Sequence, residues 1–221
     1  MDTSQSPWAL QLAARVEKLT PPTVAAVCAA TTLATITLLD DERSQVDGEW
    51  HEPVTTWNGE RIRKIVRRGR ASAWQRAQEP AGVTVERDGA EVRAFVPSRM
   101  VDAPRELQKL QIQSTPLDEV AVVDQLPGIK PATMTIAVTP HFEMSWGKQA
   151  AQCAHAGQRL WMLSEPAQVA AWNQAARAIT IVHPGERLWS ELGSTATVSI
   201  HDGGFTEIPA GTNTALAWFA N

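Results

Sequence analysis

Cysteine is scarce in this sequence and tyrosine is absent. The two cysteines, Cys28 and Cys153, are too few and too far apart for a disulfide scaffold, so we expect a reduced, cytoplasmic protein. Residues 1–7 contain an aspartate and no basic stretch, so a secretory signal peptide is not expected. The apolar run from Thr23 to Leu39 is interrupted by threonines and falls short of a membrane span.

An overall excess of positive charge is also missing. The net charge of −4 argues against a protein that coats nucleic acid with its whole surface. Positive charge is nevertheless concentrated in one segment, whose interspersed apolar residues predict part of a strand. This basic segment contains Arg61, Arg63, Lys64, Arg67, Arg68 and Arg70. It is interpreted either as a sheet edge protected by solvated charge or as a surface that holds nucleic-acid phosphates.

Several blocks of the sequence recur in the same order, which indicates an internal duplication. The recurring pairs are 25–29 with 150–154, 54–58 with 169–173, Trp74 with Trp189, and 83–89 with 197–203. The strands before the first block, around 9–14 and 134–139, fall into line at the same offset of 125. Chance similarity of alanine-rich helices would explain one block but not the ordered series.

Each copy predicts the element order strand, helix, helix, strand, helix, strand, strand. This alternation is typical of an α/β fold, and we expect two tandem three-layer units, each a mixed sheet of roughly four strands flanked by helices. The predicted bounds are 1–113 for the first unit, 114–130 for a linker and 131–221 for the second unit. Within the linker, the apolar residues 120–123 are expected to add an edge strand or to pack on a neighbour.

Four polar residues form one stripe on the first helix of the second unit. Their spacing places Lys148, Gln152, His155 and Arg159 on one helix face. The lysine lies in the first turn, where the helix dipole disfavours a cation, and this placement indicates a functional role. The matching positions in the first unit are Thr23, Val27, Ala30 and Ala34. The alternative interpretation is the solvated face of an amphipathic helix.

A second polar cluster follows a predicted strand further along the chain. Asp202 precedes Gly203-Gly204-Phe205-Thr206, and the segment 211–214 follows soon after. An aspartate before two glycines is also typical of a plain turn, and Asp88 occupies the matching place in the first unit. The cluster is therefore interpreted either as part of a reactive site or as a turn.

These clusters resemble the signature of a known family. Residues 147–156 are similar to the Gly-Lys-x-Ala-Ala-Gln-Cys-x-His-Ala motif of type 2 peptidyl-tRNA hydrolases. Residues 202–208 resemble that family's Asp-Ala-Gly-Arg-Thr-x-Ile turn, and residues 211–216 resemble its Gly-Ser/Thr-x-Thr-x-Leu segment. The likeness extends from about Met134 to Ala220, with the three motifs in the family's order.

The resemblance implies an enzyme that cleaves the ester between a peptide and the 3′ ribose of tRNA, without a metal or an organic cofactor. It also implies a small α/β fold with a mixed four-stranded sheet. Because family members pair as homodimers, the tandem copy resembles a dimer fused into one chain, a pseudo-dimer whose first copy is degenerate. No membrane partner is implied.

The same resemblance assigns expected roles to the site residues. Lys148 would stabilise negative charge at the ester or bind the terminal phosphate, and Asp202 would orient or deprotonate water. The predicted catalytic residues are Lys148, Asp202, Thr206 and Thr212, and the predicted substrate-binding residues are Gln152, His155, Trp146, Arg67 and Arg68. Cys153 is expected to serve packing, because its counterpart Cys28 persists in the first unit.

Two departures from the family pattern set up an alternative. The motif usually begins Gly-Lys-Gly-Lys, whereas Trp146 here replaces the first of these lysines, and Phe205 replaces the arginine of the aspartate turn. Each lost cation costs about 1–3 kcal/mol per charged hydrogen bond, so the two together would weaken tRNA binding or rate roughly 100-fold or more. Trp146 would instead stack on the terminal adenine, a contact of about 1–3 kcal/mol. The main readings are an active peptidyl-tRNA hydrolase and a non-catalytic descendant that binds RNA or a protein partner. Hydrolysis of some other ester or amide is the third.

Overall fold

The chain forms two consecutive α/β units in a computed structural model that describes residues 6–60, 62–112, 116–117, 120–204 and 208–220. The first unit contains β1 (Trp8–Arg15), α1 (Val24–Asp40), α2 (His51–Gly59), β2 (Lys64–Gly69), α3 (Ala71–Arg76), β3 (Gly82–Arg87), β4 (Ala90–Phe95), β5 (Ser98–Arg99) and α4 (Arg105–Gln108). The second contains β6 (Met134–Val138), α5 (Trp146–Leu163), α6 (Pro166–Gln174), β7 (Ile179–Val182), α7 (Glu186–Gly193), β8 (Val198–His201) and β9 (Asn213–Phe219).

The two sheets share one topology. Their strand orders are β2-β1-β4-β3 and β7-β6-β9-β8, and in each the first pair is parallel and the other two pairs are antiparallel. The predicted α/β class, with a mixed sheet in each of two similar units, is therefore confirmed. The first sheet also carries β5, a short strand that pairs antiparallel with β1 and that the sequence pattern did not predict.

The correspondence between the units extends to single hydrogen bonds. The Trp57 indole donates to the carbonyl of Arg63 at 2.9 Å, and the Trp172 indole donates to that of Ala178 at 2.8 Å. The predicted alignment of the first strands is wrong by one residue. Lys64 and Ile179 correspond at the offset of 115, and they pair with Leu10 and Met134 respectively. Leu10, rather than residue 9, therefore corresponds to Met134. Nearly all residues of this strand are apolar, so no alternation of polar and apolar residues indicates which side chains share a face.

Each sheet is covered on both faces, which gives the three predicted layers. In β6, Met134 and Ile136 face a core shared by the two units, whereas Ala137 faces a cluster built around Trp189 of α7. In the first unit, Ala13 of β1 faces the equivalent cluster, which contains Trp74. Alternate residues of one strand thus serve two separate helix layers.

The shared core is centred on α1 and α5, which pack against each other. The buried Cys28 thiol lies close to the Cys153 thiol, and this contact together with burial raises the pKa of Cys28. A Cβ atom placed on Gly157 would lie 2.2 Å from Cγ2 of Thr32, so these two positions are also in close contact. Both are pairs of equivalent positions in the duplicated sequence. Equivalent positions that meet each other are characteristic of an isologous interface.

Helix α1 is buried on nearly every side, although it contains several threonines. Thr31, Thr32 and Thr35 donate their hydroxyl protons to backbone carbonyls one turn earlier, at 2.7, 2.9 and 2.9 Å. These bonds satisfy the polar groups inside the helix and allow it to lie in the core. No helix among the described residues has the length and apolar character needed to cross a membrane.

Val123 of the predicted linker packs on the second unit, and the apolar stretch around it does not add a strand to the sheet. Val123 forms an isolated parallel bridge with Pro184. Its backbone N–H donates to the carbonyl of His183 at 2.9 Å, and its carbonyl accepts from the N–H of Gly185 at 3.0 Å. This contact holds the connection beside the end of β7.

Candidate functional site

Lys148 and Asp202, both predicted site residues, form an ion pair. Nζ of Lys148 lies 2.5 Å from Oδ2 of Asp202, and the two side chains are only 13% and 5% exposed. Lys148 occupies the first turn of α5, where its backbone N–H donates to the capping hydroxyl of Ser145 at 3.3 Å. Asp202 directly follows β8. Because opposite charges interact more strongly when shielded from water, this pair is a fixed feature of the site.

A short hydrogen-bond chain holds the Asp202 carboxylate in place. Its Oδ2 also accepts from Nε2 of Gln152 at 2.7 Å, and its Oδ1 accepts from the N–H of Gly204 at 2.8 Å. The other end of the Gln152 amide accepts from the Thr214 hydroxyl at 2.7 Å. Both ends of the amide are thus engaged, and its orientation is determined by the network. The carboxylate in turn fixes the position of the Lys148 ammonium.

The glycine turn presents Asp202 to this network. The N–H of Asp202 donates to the carbonyl of Thr212 at 2.9 Å, and the N–H of Gly211 donates back to Asp202 at 2.8 Å. Gly204 has a φ of +75°, and a Cβ atom there would lie 2.7 Å from Cβ of Ala210. A side chain at this position would be both strained and crowded. Asp202 is therefore a turn residue and a member of the ion pair at the same time.

Lys148 and Asp202 border a groove of about 1,560 Å³ that is lined by both units. The four predicted stripe residues, Lys148, Gln152, His155 and Arg159, all line this groove. The opposite wall includes residues of β2, among them Lys64 and Val66. The stripe therefore faces a cleft between the units and is not simply a solvated helix face.

His155 contacts a lysine of the first unit. Its Nδ1 lies 3.1 Å from Nζ of Lys64, which also donates to Oε1 of Gln158 at 2.5 Å. Burial lowers the pKa of Lys64 well below its ordinary value. Burial, and then the charges of Lys64 and Lys148, lower the pKa of His155 well below its usual range. The ring is therefore neutral near pH 7.

One predicted catalytic threonine, Thr212, takes part in the site through its backbone rather than its side chain. Thr212 contributes its backbone carbonyl to the Asp202 turn, and its side chain does not line the groove. Thr206 lies outside the described residues, as does Phe205. The hydroxyl that reaches Gln152 belongs instead to Thr214, which lies in the 211–216 motif but is not among the predicted catalytic residues.

Three predicted substrate-binding residues lie away from the groove lining. Trp146 is 5% exposed and packs in the shared core, so it presents no face on which a base could stack. Arg67 is buried and donates to Oε1 of Gln11 at 2.8 Å and to the carbonyl of Leu110 at 3.2 Å. Arg68 donates to the carbonyl of Val16 at 3.3 Å. These contacts hold the first unit together.

The basic segment nevertheless contributes Lys64 to the groove. Neither Lys64 nor Gln158 of α5 is among the predicted site residues. Both line the groove beside His155. No group of three or more metal-ligating side chains is found in the parts of the chain that the structure describes.

The second unit is thus an α/β unit with a lysine–aspartate pair at the edge of a groove. Residues 132–219, which span β6 to β9, match the family model described as peptidyl-tRNA hydrolase PTH2. The resemblance inferred from the three motifs is confirmed for this part of the chain, and the second unit belongs to that family. The match does not extend into the first unit. No curated protein matches the chain.

Proposed function

We propose that the chain is a peptidyl-tRNA hydrolase that cleaves the ester joining a peptide to the 3′ ribose of tRNA. The observation that carries this proposal is the 2.5 Å ion pair of Lys148 and Asp202 at the border of an open groove, in a unit of that family. An ammonium and a carboxylate held side by side supply the two charges that ester hydrolysis needs.

Each step of the reaction has a candidate group in the network. Water attacks the ester carbonyl, which develops a negatively charged oxygen, and the bond to the ribose 3′ oxygen then breaks and that oxygen takes up a proton. The Lys148 ammonium stabilises the negative oxygen. The Asp202 carboxylate orients the water and accepts its proton. Gln152 holds Asp202, and Thr214 holds Gln152, so the site is oriented before substrate binds.

The remaining predicted roles belong to the same proposal. Thr206 and Thr212 are predicted to position water or a ribose hydroxyl, and His155 to orient neighbouring groups at the substrate-binding surface. A tRNA contact by Arg67 and Arg68 stays a prediction. The hydrogen bonds of Arg67 within the first unit favour a structural role for that residue.

The first unit, residues 1–113, is proposed to be a degenerate copy, joined by the linker 114–130 to the hydrolase unit at 131–221. The identical strand order supports this origin, as does the reciprocal packing of α1 on β7 and of α5 on β2. The chain would then be the single-chain counterpart of a homodimer. Action on tRNA is consistent with a cytoplasmic location.

A second candidate function rests on Trp146. This residue stands where the family pattern has a lysine, and its side chain is buried in the shared core. A cation that would hold phosphate is therefore replaced by a packing residue. The alternative is a non-catalytic descendant that binds RNA or a protein partner in the same groove.

The decisive experiment measures release of N-acetyl-amino acid from N-acetylaminoacyl-tRNA by the purified full chain. Turnover is expected, and Lys148→Met should reduce kcat/KM roughly 100-fold or more, because it removes the oxyanion-stabilising charge. Lys18→Met, at an exposed lysine of the first unit, is the matched control and should leave the rate unchanged. Saturable tRNA binding without turnover at micromolar enzyme would support the non-catalytic alternative instead.

A further inference from the structure

Lys64 belongs to the first unit but makes its polar contacts with the second. It begins β2, and its ammonium reaches α5, where it contacts His155 at 3.1 Å and Gln158 at 2.5 Å. The groove that holds Lys148 and Asp202 is lined by Lys64 and His155 as well. The hydrolase unit alone therefore does not complete this wall of its own groove.

The surroundings of Lys64 fit the three donors of an ammonium group. Nδ1 of His155 and Oε1 of Gln158 are acceptors, and the ring of Trp57 lies 5.1 Å from Nζ. The amide of Gln158 is oriented by a bond from its Nε2 to Oδ1 of Asn58 at 3.1 Å. Among the described residues, no carboxylate forms an ion pair with Lys64. Because burying an unpaired cation costs free energy, this placement calls for a function.

The contact with Lys64 determines the tautomer of His155. With Lys64 protonated, its ammonium can only donate, so Nδ1 accepts and the single proton of the neutral ring is on Nε2. His155 lies two turns from Lys148 on the same helix face, roughly 10 Å along the axis. His155 thus contributes a neutral ring to the groove lining at a fixed distance from the ion pair.

The pseudo-symmetric counterpart of this cluster is apolar, so the duplicated fold does not require it. Lys64 corresponds to Ile179, His155 to Ala30 and Gln158 to Leu33. All three polar residues therefore occur on one side of the molecule. Packing requirements common to both units would have been met by apolar residues at these positions.

We infer that Lys64 is a positioning residue of the hydrolytic groove, supplied by the first unit. It holds His155 with Nε2–H available to donate to a phosphate oxygen at the acceptor end of the tRNA. The inference rests on the proposed function for the identity of the ligand. It gives the first unit a part in substrate binding beyond structural support.

Nitrogen NMR of the histidine rings tests the positioning step without any substrate. His155→Gln assigns the His155 signals, and wild type should show a bare Nδ1 with the proton on Nε2. Lys64→Met keeps the chain length without a donor, so the tautomers should mix and the His155 pKa should rise. Lys64→Gln keeps a donor without a charge and should retain the wild-type tautomer. A proton on Nδ1 in wild type, or no change in Lys64→Met, would overturn the inference.

Kinetics with N-acetylaminoacyl-tRNA test the effect on binding. Lys64→Met should raise KM about tenfold and change kcat less than about twofold, because the His155 donor that Lys64 positions contacts phosphate rather than the ester. A tenfold change in KM corresponds to about 1.4 kcal/mol. His155→Gln should raise KM similarly, and the double variant should be no worse than either single one. Lys64→Gln should recover most of the loss. A fall in kcat at constant KM would contradict the assignment.

Controls separate this inference from the proposed function. Lys109→Met, at an exposed lysine of the first unit, should leave KM unchanged. Should wild type show no turnover, the hydrolase proposal fails, and the same variants are then compared by their affinity for deacylated tRNA. Equal affinity of wild type and Lys64→Met would reject the positioning role in that case too. Should Lys64→Met fail to fold, Lys64→Gln and His155→Gln carry both measurements.

Discussion

The two units use one topology for different purposes, and the difference is concentrated on a single pair of helices. Helix α5 turns Lys148, Gln152 and His155 toward the groove, whereas α1 has Thr23, Val27 and Ala30 at the matching positions. The two helices have small residues where they meet each other, such as the Cys28–Cys153 and Thr32–Gly157 pairs. Both units therefore have the small residues that the shared core requires. Only the second unit has the polar helix residues that the proposed chemistry requires.

The comparison also shows that the first unit does not differ from the second merely by having fewer polar residues. At the start of β2 the first unit has Lys64, where the second has Ile179 at the start of β7. The unit without the helix stripe thus carries the polar residue that faces the stripe of the other unit. Two similar units joined in one chain are free to diverge in complementary ways, as identical subunits of a homodimer are not.

The largest expected difference between the units concerns their two aspartates. Asp202→Asn removes the charge that holds Lys148, so kcat/KM on N-acetylaminoacyl-tRNA should fall roughly 100-fold or more. Asp88→Asn is the matched control, because Asp88 is an exposed turn residue with a φ of +51° that asparagine tolerates. It should change the rate less than about twofold. Similar losses from both variants would show that the turn, rather than the charge, matters.

The contact between equivalent positions at the interface gives the next largest effect. Gly157→Ala places a methyl group against Thr32, so unfolding free energy should fall by about 1–3 kcal/mol, as in other overpacked cores. Thr32→Ala removes the opposing methyl and should restore most of that loss in the double variant. Thermal and urea unfolding of the four proteins measure the coupling. Strictly additive effects would mean that the two helices do not meet there as described.

The sequence predicted features that depend on local periodicity. The element order of both units and the helix face shared by Lys148, Gln152 and His155 follow from side-chain spacing. Spacing along one helix or strand is a local property, so the chain itself discloses it. Spacing alone does not relate this helix face to Asp202. The resemblance to the family places Lys148 and Asp202 in the same predicted site.

The sequence could not predict contacts that depend on packing between distant segments. Lys64 and His155 lie 91 positions apart and in different units. Arg67 is buried because Gln11 and Leu110 satisfy its guanidinium, and neither partner is near it in the sequence. Thr214 rather than Thr212 reaches Gln152, and the pairing of β8 with β9 shifts by one residue between Ile200 and His201. Such an irregularity changes which side chain faces the site.

The second unit also contains a titrating group that the first unit lacks. Burial lowers the pKa of His183 to about 4. Its Nε2 lies 2.9 Å from Oε1 of Gln149, and its buried Nδ1 has no hydrogen-bond partner among the described residues. The unfolded chain therefore binds a proton near pH 6.5 that the folded chain resists until about pH 4. Stability should be lost as pH falls through this window, by on the order of 2 kcal/mol after allowance for partial exposure.

Urea unfolding from pH 7 to pH 4 measures this contribution. His183→Gln should show a shallower loss of unfolding free energy over that range than wild type, because the proton uptake is removed. The position that corresponds to His183 in the first unit is Arg68, which stays charged throughout. Arg68→Gln should therefore leave the steepness of the pH dependence unchanged. Parallel curves for wild type and His183→Gln would contradict the assignment.

The smallest expected effect concerns the two equivalent indoles. Trp57→Phe removes the hydrogen bond to the carbonyl of Arg63, and Trp172→Phe removes the one to the carbonyl of Ala178. Each loss should lower the unfolding free energy by about 0.5–1.5 kcal/mol. A loss of packing, common to both variants, adds to this effect. The functional effects should differ, because Trp57 alone faces Lys64. Trp57→Phe should therefore raise KM about two- to threefold, whereas Trp172→Phe should leave it unchanged. Equal KM values for the two variants would show that the Trp57 ring does not affect the function of Lys64. Lys64 would then act only through its hydrogen bond with His155.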